Sequence, residues 1–470
     1  MSVISPRDET QTALGSLTQA RLDQLQAGFE AHPTARMMRN AVTQAGVDEI
    51  ALDRSIISGT DHTFSHLLDE WSVTNQKRSG RCWMFAGLNL FRPAAMKSMN
   101  LKSFEFSQNY TLFWDKFERA NYFLEAMIDT AQRDVDDRTV AWLLERPLDD
   151  GGQWNMFVNI IQKHGVVPKA VMPESKSSSN TPRMNSILLA QLRQAAEALR
   201  GAAANGATIE KLREDKQGYL ESTYRILSIH LGSPPSRFDW QWNDKDREFH
   251  RDGEMSPLEF AEKYVSPAPE EYVCLVHDPR PTSPVGRTFT VEYLGNVVGG
   301  QIVKYLNVDI ATMKQVAVQT ILDGAPVWMG CDVGKMMQRS EGIWDARLFD
   351  YESVYDAEFS LAKSDRLTYH ETLMTHAMLF TGVDLVDTEQ GQQSRRWRVE
   401  NSWGDENGRK GYYVMNDSWF DEYMFEIAAH EKYLSDELLQ ASRQEPIVLP
   451  PWDPMGALAR DAAGHRHPLG

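Results

Sequence analysis

Twelve residues, Asn75-Gln76-Lys77-Arg78-Ser79-Gly80-Arg81-Cys82-Trp83-Met84-Phe85-Ala86, constrain this chain more than any other stretch. Ser-Gly-Arg is turn-prone. Beyond it, apolar residues recur at Met84, Leu88, Phe91 and Ala95, a spacing that predicts one face of a helix. Cys82 then stands at the helix N-terminus, where the peptide dipoles favour a thiolate. A thiolate is a nucleophile, and a backbone N–H with a side-chain amide can hold an oxyanion beside it. Gln76 is of the right type for that amide. Taken alone, Cys82 fits equally well as a small buried hydrophobe, so its chemistry depends on what else the chain supplies.

A cysteine nucleophile needs a base, and histidine exchanges protons near neutral pH. The histidine in turn needs an acceptor on its other nitrogen to fix tautomer and orientation. Both residue types occur about 300 residues downstream, in a part of the chain that reads as strands. Thr375-His376-Ala377-Met378-Leu379-Phe380-Thr381-Gly382 predicts a strand with His376 near its start. Arg396–Gly404 predicts a second, carrying Asn401 and ended by Gly404-Asp405-Glu406-Asn407-Gly408, and Tyr412–Met415 continues the sheet. Cys82, His376 and Asn401 thus make a candidate triad in chain order. Cys331, after the apolar run Pro326–Gly330, is expected in the core.

The regions between are less specific. Residues 1–60 predict a helical lead-in with Ala20, Leu22, Leu25 and Phe29 on one face, ended at His32-Pro33. His62 and His66, four apart, would share a helix face, yet no third metal ligand accompanies them. Pro93 is expected to kink or end the helix that starts at Cys82. The aromatics of 104–129, among them Tyr110, Trp114 and Phe117, fall at helical spacing and predict core packing. Asp149-Asp150-Gly151-Gly152-Gln153-Trp154 is a turn ahead of a helix. Its paired glycines suit either a simple helix-opening turn or a cleft wall that an extended peptide approaches closely. Residues 181–310 predict a helical insert, with stripes Leu188-Leu192-Ala195-Leu199 and Leu220-Tyr224-Leu227-Leu231, the second stopped by Gly232-Ser233-Pro234-Pro235, and with Phe238–Asp252 on the surface.

Charge and cysteine usage exclude several function classes. The net charge of −17, with 66 acidic against 49 basic residues, weighs against a nucleic-acid partner. The three widely spaced cysteines suggest neither a disulfide framework nor a zinc site. With no run of about 18 apolar residues and no apolar N-terminal signal region, the expectation is a cytoplasmic protein off the membrane, in a reducing compartment where a reactive thiol survives.

Together, Gln76…Gly80-Arg81-Cys82-Trp83, His376-Ala377 and Asn401-Ser402-Trp403-Gly404 resemble the papain-like cysteine peptidases. Asp61-His62-Thr63-Phe64-Ser65-His66, Asn75-Gln76-Lys77, Asp150–Trp154, Gly165-Val166-Val167-Pro168-Lys169 and Trp452–Ala459 narrow the resemblance to the bleomycin hydrolase/aminopeptidase C family, over residues 20–459. In papain-like chains roughly 130–150 residues separate the cysteine from the histidine. The excess here is comparable to the 181–310 insert with its enlarged loops. Arg81 departs from papain, which has a small residue before its cysteine.

The resemblance implies an α+β fold in segments: a lead-in (1–60), a helical lobe with Cys82 (61–180), a helical insert serving assembly (181–310), a β-rich lobe with His376 and Asn401 (311–430), and a C-terminal arm reaching the cleft (431–470). It implies Gln76 and the Cys82 backbone N–H as oxyanion hole, Trp403 as a shield over the His–Asn contact, and Gly151 and Gly152 as a cleft wall binding substrate backbone. The implied activity is a cysteine aminopeptidase, bleomycin-hydrolase-like in its amide hydrolysis, with no cofactor or metal, acting on peptides with free N-termini inside a homohexameric ring. Family members place a C-terminal carboxylate near the substrate's ammonium, which puts the clamp at Ala459. Here the chain runs on through Arg460–Gly470, a tail expected to be self-trimmed or tolerated. The alternatives are a ring that binds single-stranded nucleic acid, or endopeptidase character with the clamp displaced.

Overall fold

A helix that is apolar on every side can only be stable inside a protein, and the helix Cys82–Ser98 is buried continuously from Cys82 to Arg92. The computed structural model describes residues 15–69, 71–389 and 391–459, in two compact units.

The smaller unit takes in the described part of Met1–Gly59 together with Arg347–Leu361. Thr18 caps the helix Gln19–Ala31 through its side chain. His32 interrupts, and Pro33 opens the next helix, Pro33–Val42, because proline at a first helical position lacks only an N–H that would be unsatisfied anyway. The returning segment is stitched on by backbone bonds Asp53 N–H to Leu348 C=O (2.9 Å) and Asp350 N–H to Ala51 C=O (2.8 Å). Leu22, Leu25 and Phe29 remain exposed.

In the larger unit, the Cys82 helix packs with Gln108–Asp129 and Trp154–His164. Of the two outcomes Pro93 predicts, a kink or an end, the helix does not end there and runs on to Ser98. An interior proline costs about 3 kcal/mol; burial of three preceding turns, with Trp83, Met84, Leu88 and Phe91 all inside, is large enough to offset that.

The strands are β1 (His66–Leu67), β2 (Phe238–Asn243), β3 (Phe249–Met255), β4 (Tyr272–Val276), β5 (Thr288–Val291), β6 (Tyr305–Asn307), β7 (Val327–Cys331), β8 (Met337–Gln338), β9 (Ile343–Trp344), β10 (His376–Thr388), β11 (Gly391–Glu400), β12 (Tyr412–Asn416), β13 (Met424–His430) and β14 (Ile447–Leu449). Among the described residues twelve of them form one sheet, ordered β14-β5-β6-β4-β13-β7-β10-β11-β12-β9-β8, with β1 added to β10; β2 and β3 form a separate hairpin. Both faces of the central strands are covered, so β7 is buried throughout. Trp328, Ala377 and Leu379 face the core that contains Cys82 and Trp83. Met329, Cys331, Met378 and Phe380 face a second core with the helices Ile310–Leu322 and Asp417–Tyr423. Cys331 is fully buried.

The expected all-helical insert is corrected. Helices Pro182–Ala204 and Ile209–Leu231 form, but 238–255 is a hairpin and 272–307 contributes three strands to the main sheet. Tyr-Val-Cys-Leu-Val at 272–276 is a short, β-branched apolar run whose hydrogen bonds are satisfied by β13 and β6. The C-terminal segment also joins this sheet, through β14 on β5. His62 and His66 do not share a helix face; His66 opens the short strand β1.

Glu426 on β13 is a carboxyl inside this core. It lies opposite Val276 and Gly330, and its Oε1 has no hydrogen-bond partner among the described residues. Burial pushes its pKa up to about 8, only partly opposed by a hydrogen bond with Cys274. The folded state therefore holds a proton that the unfolded chain releases near pH 4.5, and stability falls as pH rises from there through about 8. Glu426→Gln is expected to raise the melting temperature at pH 8 and leave it nearly unchanged at pH 4. Scanning calorimetry of both proteins at the two pH values checks this.

Candidate functional site

Cys82 is the first residue of its helix, and the loop before it is held by charged partners that are remote in sequence. Arg81, fully buried, is bound by both oxygens of Glu174 at 2.9 and 2.7 Å; its Nε donates to Ser79 Oγ (2.8 Å), and its guanidinium lies over Phe85, 5.0 Å from the ring centroid. A paired, fully hydrogen-bonded guanidinium can be buried, which accounts for a large residue beside the cysteine. The carboxylate of Asp150 accepts Gly80 N–H (3.2 Å), Asn185 Nδ2 (2.8 Å), the Thr181 hydroxyl and the Lys116 ammonium (2.5 Å). Burial would raise this carboxyl, but Lys116 and the donated hydrogen bonds outweigh it and hold the group well below the usual range.

His376 opens β10, paired with Cys331 of β7. Its Nε2 lies 2.9 Å from Asn401 Oδ1, which also accepts Ser402 N–H at 2.8 Å. The amide oxygen can only accept, so Nε2 carries the hydrogen and Nδ1 is the basic nitrogen. The indole of Trp403 lies over the imidazole with ring centroids 5.0 Å apart, and Arg339 covers Trp403 at 4.6 Å. His376, Asn401 and Trp403 are all buried.

Gln76 belongs to the same construction. Its backbone N–H donates to Ser402 C=O (2.8 Å), and its Oε1 accepts the Ser402 hydroxyl (2.6 Å). Its Nε2 donates to Ser79 C=O (2.7 Å). The amide is fixed between the Cys82 loop and the Asn401 loop. The bridge between Asn75 and Trp403, with Gly404 N–H on Thr74 C=O (3.0 Å), closes the same seam. On the other side of Cys82, Trp83 Nε1 donates to Asp150 C=O (2.8 Å) and Trp83 C=O accepts Trp328 Nε1 (3.2 Å).

The paired glycines have distinct surroundings. Gly151 is used inside the fold: its C=O accepts Arg119 (2.6 Å) and its N–H donates to Asp149 (2.9 Å). Gly152 lies flat on Trp83, where an added Cβ would come within 2.5 Å of the indole. Both backbone groups of Gly152 pair with Ala459, each bond 3.2 Å, in an antiparallel bridge. Gln153 Nε2 donates to Ala457 C=O beside it. The extended segment on this wall is therefore the chain's own C-terminal arm, anchored further back by Arg280 on Asp453 (2.8 Å). A cavity of about 140 Å³ adjoins the arm, with Leu373, Met156, Ala457 and Leu458 among its walls. The Arg460–Gly470 tail lies outside the described residues.

Among the described residues, Asp244, Glu248 and His250 alone cluster as metal ligands would. Asp244 already takes Asn100 (3.0 Å), His250 (3.1 Å) and two backbone N–H groups, so its lone pairs are used without an ion. Ser402, Glu174, Asp150 and Trp328 support the site; Ser402 and Asp150 stand in stretches that carry the family resemblance but with no role of their own there, and nothing local marks Glu174 or Trp328.

A sequence profile of the Peptidase C1-like family matches residues 16–456. Bleomycin hydrolase of Gallus gallus is 44% identical over 441 residues, 92% of this chain and 96% of its own. Aminopeptidase C of Listeria innocua is 42% identical over 446 residues, 94% and 99% of the two chains. The crystal structure of PepW from Lactobacillus rhamnosis superposes with a TM-score of 0.92 at 43% identity, covering 95% of this chain and all of the other.

Gly152→Ala forces its methyl into the Trp83 indole. It is expected to destabilise the fold by about 1–3 kcal/mol and to loosen the Ala459 pairing. Urea denaturation, with hydrogen exchange at the Ala459 amide, reads both.

Proposed function

Because the chain belongs to the Peptidase C1-like family, we propose that its cysteine-aminopeptidase chemistry runs through Cys82, His376, Asn401 and Gln76. The Cys82 thiolate, favoured by the helix N-terminus, attacks the carbonyl carbon of the first peptide bond. An S–C bond forms and the carbonyl electrons move onto oxygen. The Gln76 amide and the Cys82 backbone N–H receive that oxyanion, and Gln76 is already held rigidly by Ser79 and Ser402, so no reorganisation is needed. His376 Nδ1 holds the proton taken from the Cys82 thiol, and as the oxyanion collapses and the C–N bond breaks it gives that proton to the leaving amine, leaving a thioester. A water then attacks the thioester carbonyl, His376 Nδ1 takes the water's proton, the C–S bond breaks to return the Cys82 thiolate, and the released acid is the former N-terminal residue. Asn401 holds the imidazole in the tautomer this requires, and Trp403 keeps water from the contact.

The observation that carries the aminopeptidase reading is the pairing of Gly152 with Ala459. An extended substrate running along this wall, N-terminal to the bond that is cut, meets a strand position already filled by the arm. On this reading the cleft takes the N-terminal end of a peptide and is closed to a chain passing through. A carboxylate near that end would select the substrate's ammonium; whether the tail is removed decides where the terminal carboxylate stands, and we favour trimming by the enzyme itself. No helix of the described residues is long and apolar enough to cross a membrane, and none of the three cysteines is in a disulfide, which supports a reducing, cytoplasmic setting. The oligomer we favour is a homohexameric ring, with peptides as substrates, and bleomycin-like amides among them.

A matched pair of fluorogenic peptides, one free and one acetylated at its N-terminus, tests the reading, with intact mass recorded throughout. The free peptide alone is expected to be cleaved, and Cys82→Ala to abolish this. Asn401→Ala is expected to lower kcat at least tenfold with the free peptide. Equal cleavage of both peptides would overturn the aminopeptidase assignment, and activity in Cys82→Ala would overturn the nucleophile. Loss of tail mass in wild type but not in Cys82→Ala would establish self-trimming.

A further inference from the structure

None of the steps above uses Glu400, yet it is the residue directly before Asn401 and is fully inside the protein. Both of its carboxylate oxygens are committed. Oε2 accepts Trp71 Nε1 at 2.7 Å, and Oε1 accepts Asn89 Nδ2 at 2.8 Å. Asn89 belongs to the Cys82 helix, seven residues and so two turns beyond Cys82, on the same side of the helix. The Asn89 amide also donates to Thr74 Oγ1 (2.9 Å), in the strand-like segment that leads to Gln76.

One turn further along that helix stands Arg92, buried and directed to the same region. Its terminal nitrogens donate to Ser72 C=O (2.7 Å) and Ser72 Oγ (3.1 Å), while its Nε has no hydrogen-bond partner among the described residues. Its charge attracts Glu400, as does that of Arg398 on β11. Tyr412, whose hydroxyl donates to Trp71 C=O (2.8 Å), faces the group from β12. Burial nonetheless raises the Glu400 carboxyl to about 7, against the pull of Arg92, Trp71 and Asn89.

A buried acid of this kind is expensive unless it is paired and hydrogen-bonded. Here the Asn89 hydrogen bond and the Arg92 charge tie the element that carries the thiol to the end of β11, and Trp71 ties the same carboxylate to the segment that leads to Gln76. We propose that Glu400 is a positioning residue: through Asn89 it fixes the Cys82 helix against the end of β11, and so sets the alignment of the Cys82 thiol with the His376–Asn401 pair. The proposal rests on the reading of Cys82, His376 and Asn401 as the reacting groups. A helix free to slide by a fraction of an ångström along its axis would still bind peptide, since the arm is held from outside that helix by Arg280 and Gln153. It would attack more slowly, because rate depends steeply on near-attack geometry.

The test compares wild type, Glu400→Gln, Asn89→Ala, the double variant and Cys82→Ala, all as full chains. It measures kcat and KM on the free peptide, and the rate of Cys82 alkylation by iodoacetamide as a function of pH. Glu400→Gln keeps the volume but replaces one acceptor oxygen with a donor. It is expected to lower kcat about tenfold with KM within twofold, and to move the alkylation midpoint upward, because a misaligned imidazole stabilises the thiolate less. Asn89→Ala is expected to do the same, and the double variant to be no worse than the poorer single variant, as for two partners of one contact. Asn89→Ala also serves if Glu400→Gln is recovered unfolded. The proposal is overturned if the folded variants melt lower but keep wild-type kcat and alkylation profile, or if the two substitutions act additively. Activity in Cys82→Ala would instead overturn the underlying assignment of the nucleophile.

Discussion

Everything in the site depends on how the N-terminus of one buried helix is held. The first three turns from Cys82 are enclosed on all sides, so the helix start, with its concentration of backbone N–H groups, cannot rely on bulk water. The chain before it must therefore be fixed by protein groups, and it is. Arg81 is fastened to Glu174, Gly80 to Asp150, and Gln76 to Ser402. A thiol placed this way is pre-organised, because its surroundings are set by folding and not by substrate.

The cost of that arrangement is a set of charges taken out of water. Asp150 with Lys116, Arg81 with Glu174, and Asp115 with Arg119 (2.8 Å) all lie around the Cys82 loop and the Gly151–Gly152 wall. Each is satisfied by several hydrogen bonds, as buried charges must be. Pairs of this kind contribute less to net stability than to uniqueness: removing one partner leaves a buried charge, so the loop has few other conformations to adopt. The segment 174–185 belongs to the same scaffold, with Thr181 N–H on Arg78 C=O (3.3 Å) and Arg78 N–H on Ser179 C=O (3.1 Å). This segment is thus part of the support of the loop before Cys82.

Where Cys82, His376 and Asn401 stand was legible because the stretches around them carry local signals. Cys82 follows a turn and precedes an apolar period, and His376 and Asn401 sit at strand ends. What supports them was not legible. Glu174, Ser402 and Trp328 meet the loop from 93, 326 and 245 residues away, and a single sequence holds no record of such pairings. Pro93 shows the converse: a strong local stop signal does not end a helix whose preceding turns are buried. The stretch 272–307 shows a third: its short apolar runs fit a strand or a buried helix turn by periodicity alone, and pairing with β13 decides for strand.

By itself the sequence determined the kinds of chemistry available, a thiol at a helix start, an imidazole and an amide on strands, and the elements that carry them, because propensity, period and turn residues act over a few neighbours. Only the tertiary structure decided which groups meet. It placed Asn401 on His376, turned Gln76 toward Ser79 under the grip of Ser402, and laid Ala459 along Gly152. Contacts of that range are settled by packing and by the need of every buried polar group to find a partner, and neither is written in any short stretch of the chain.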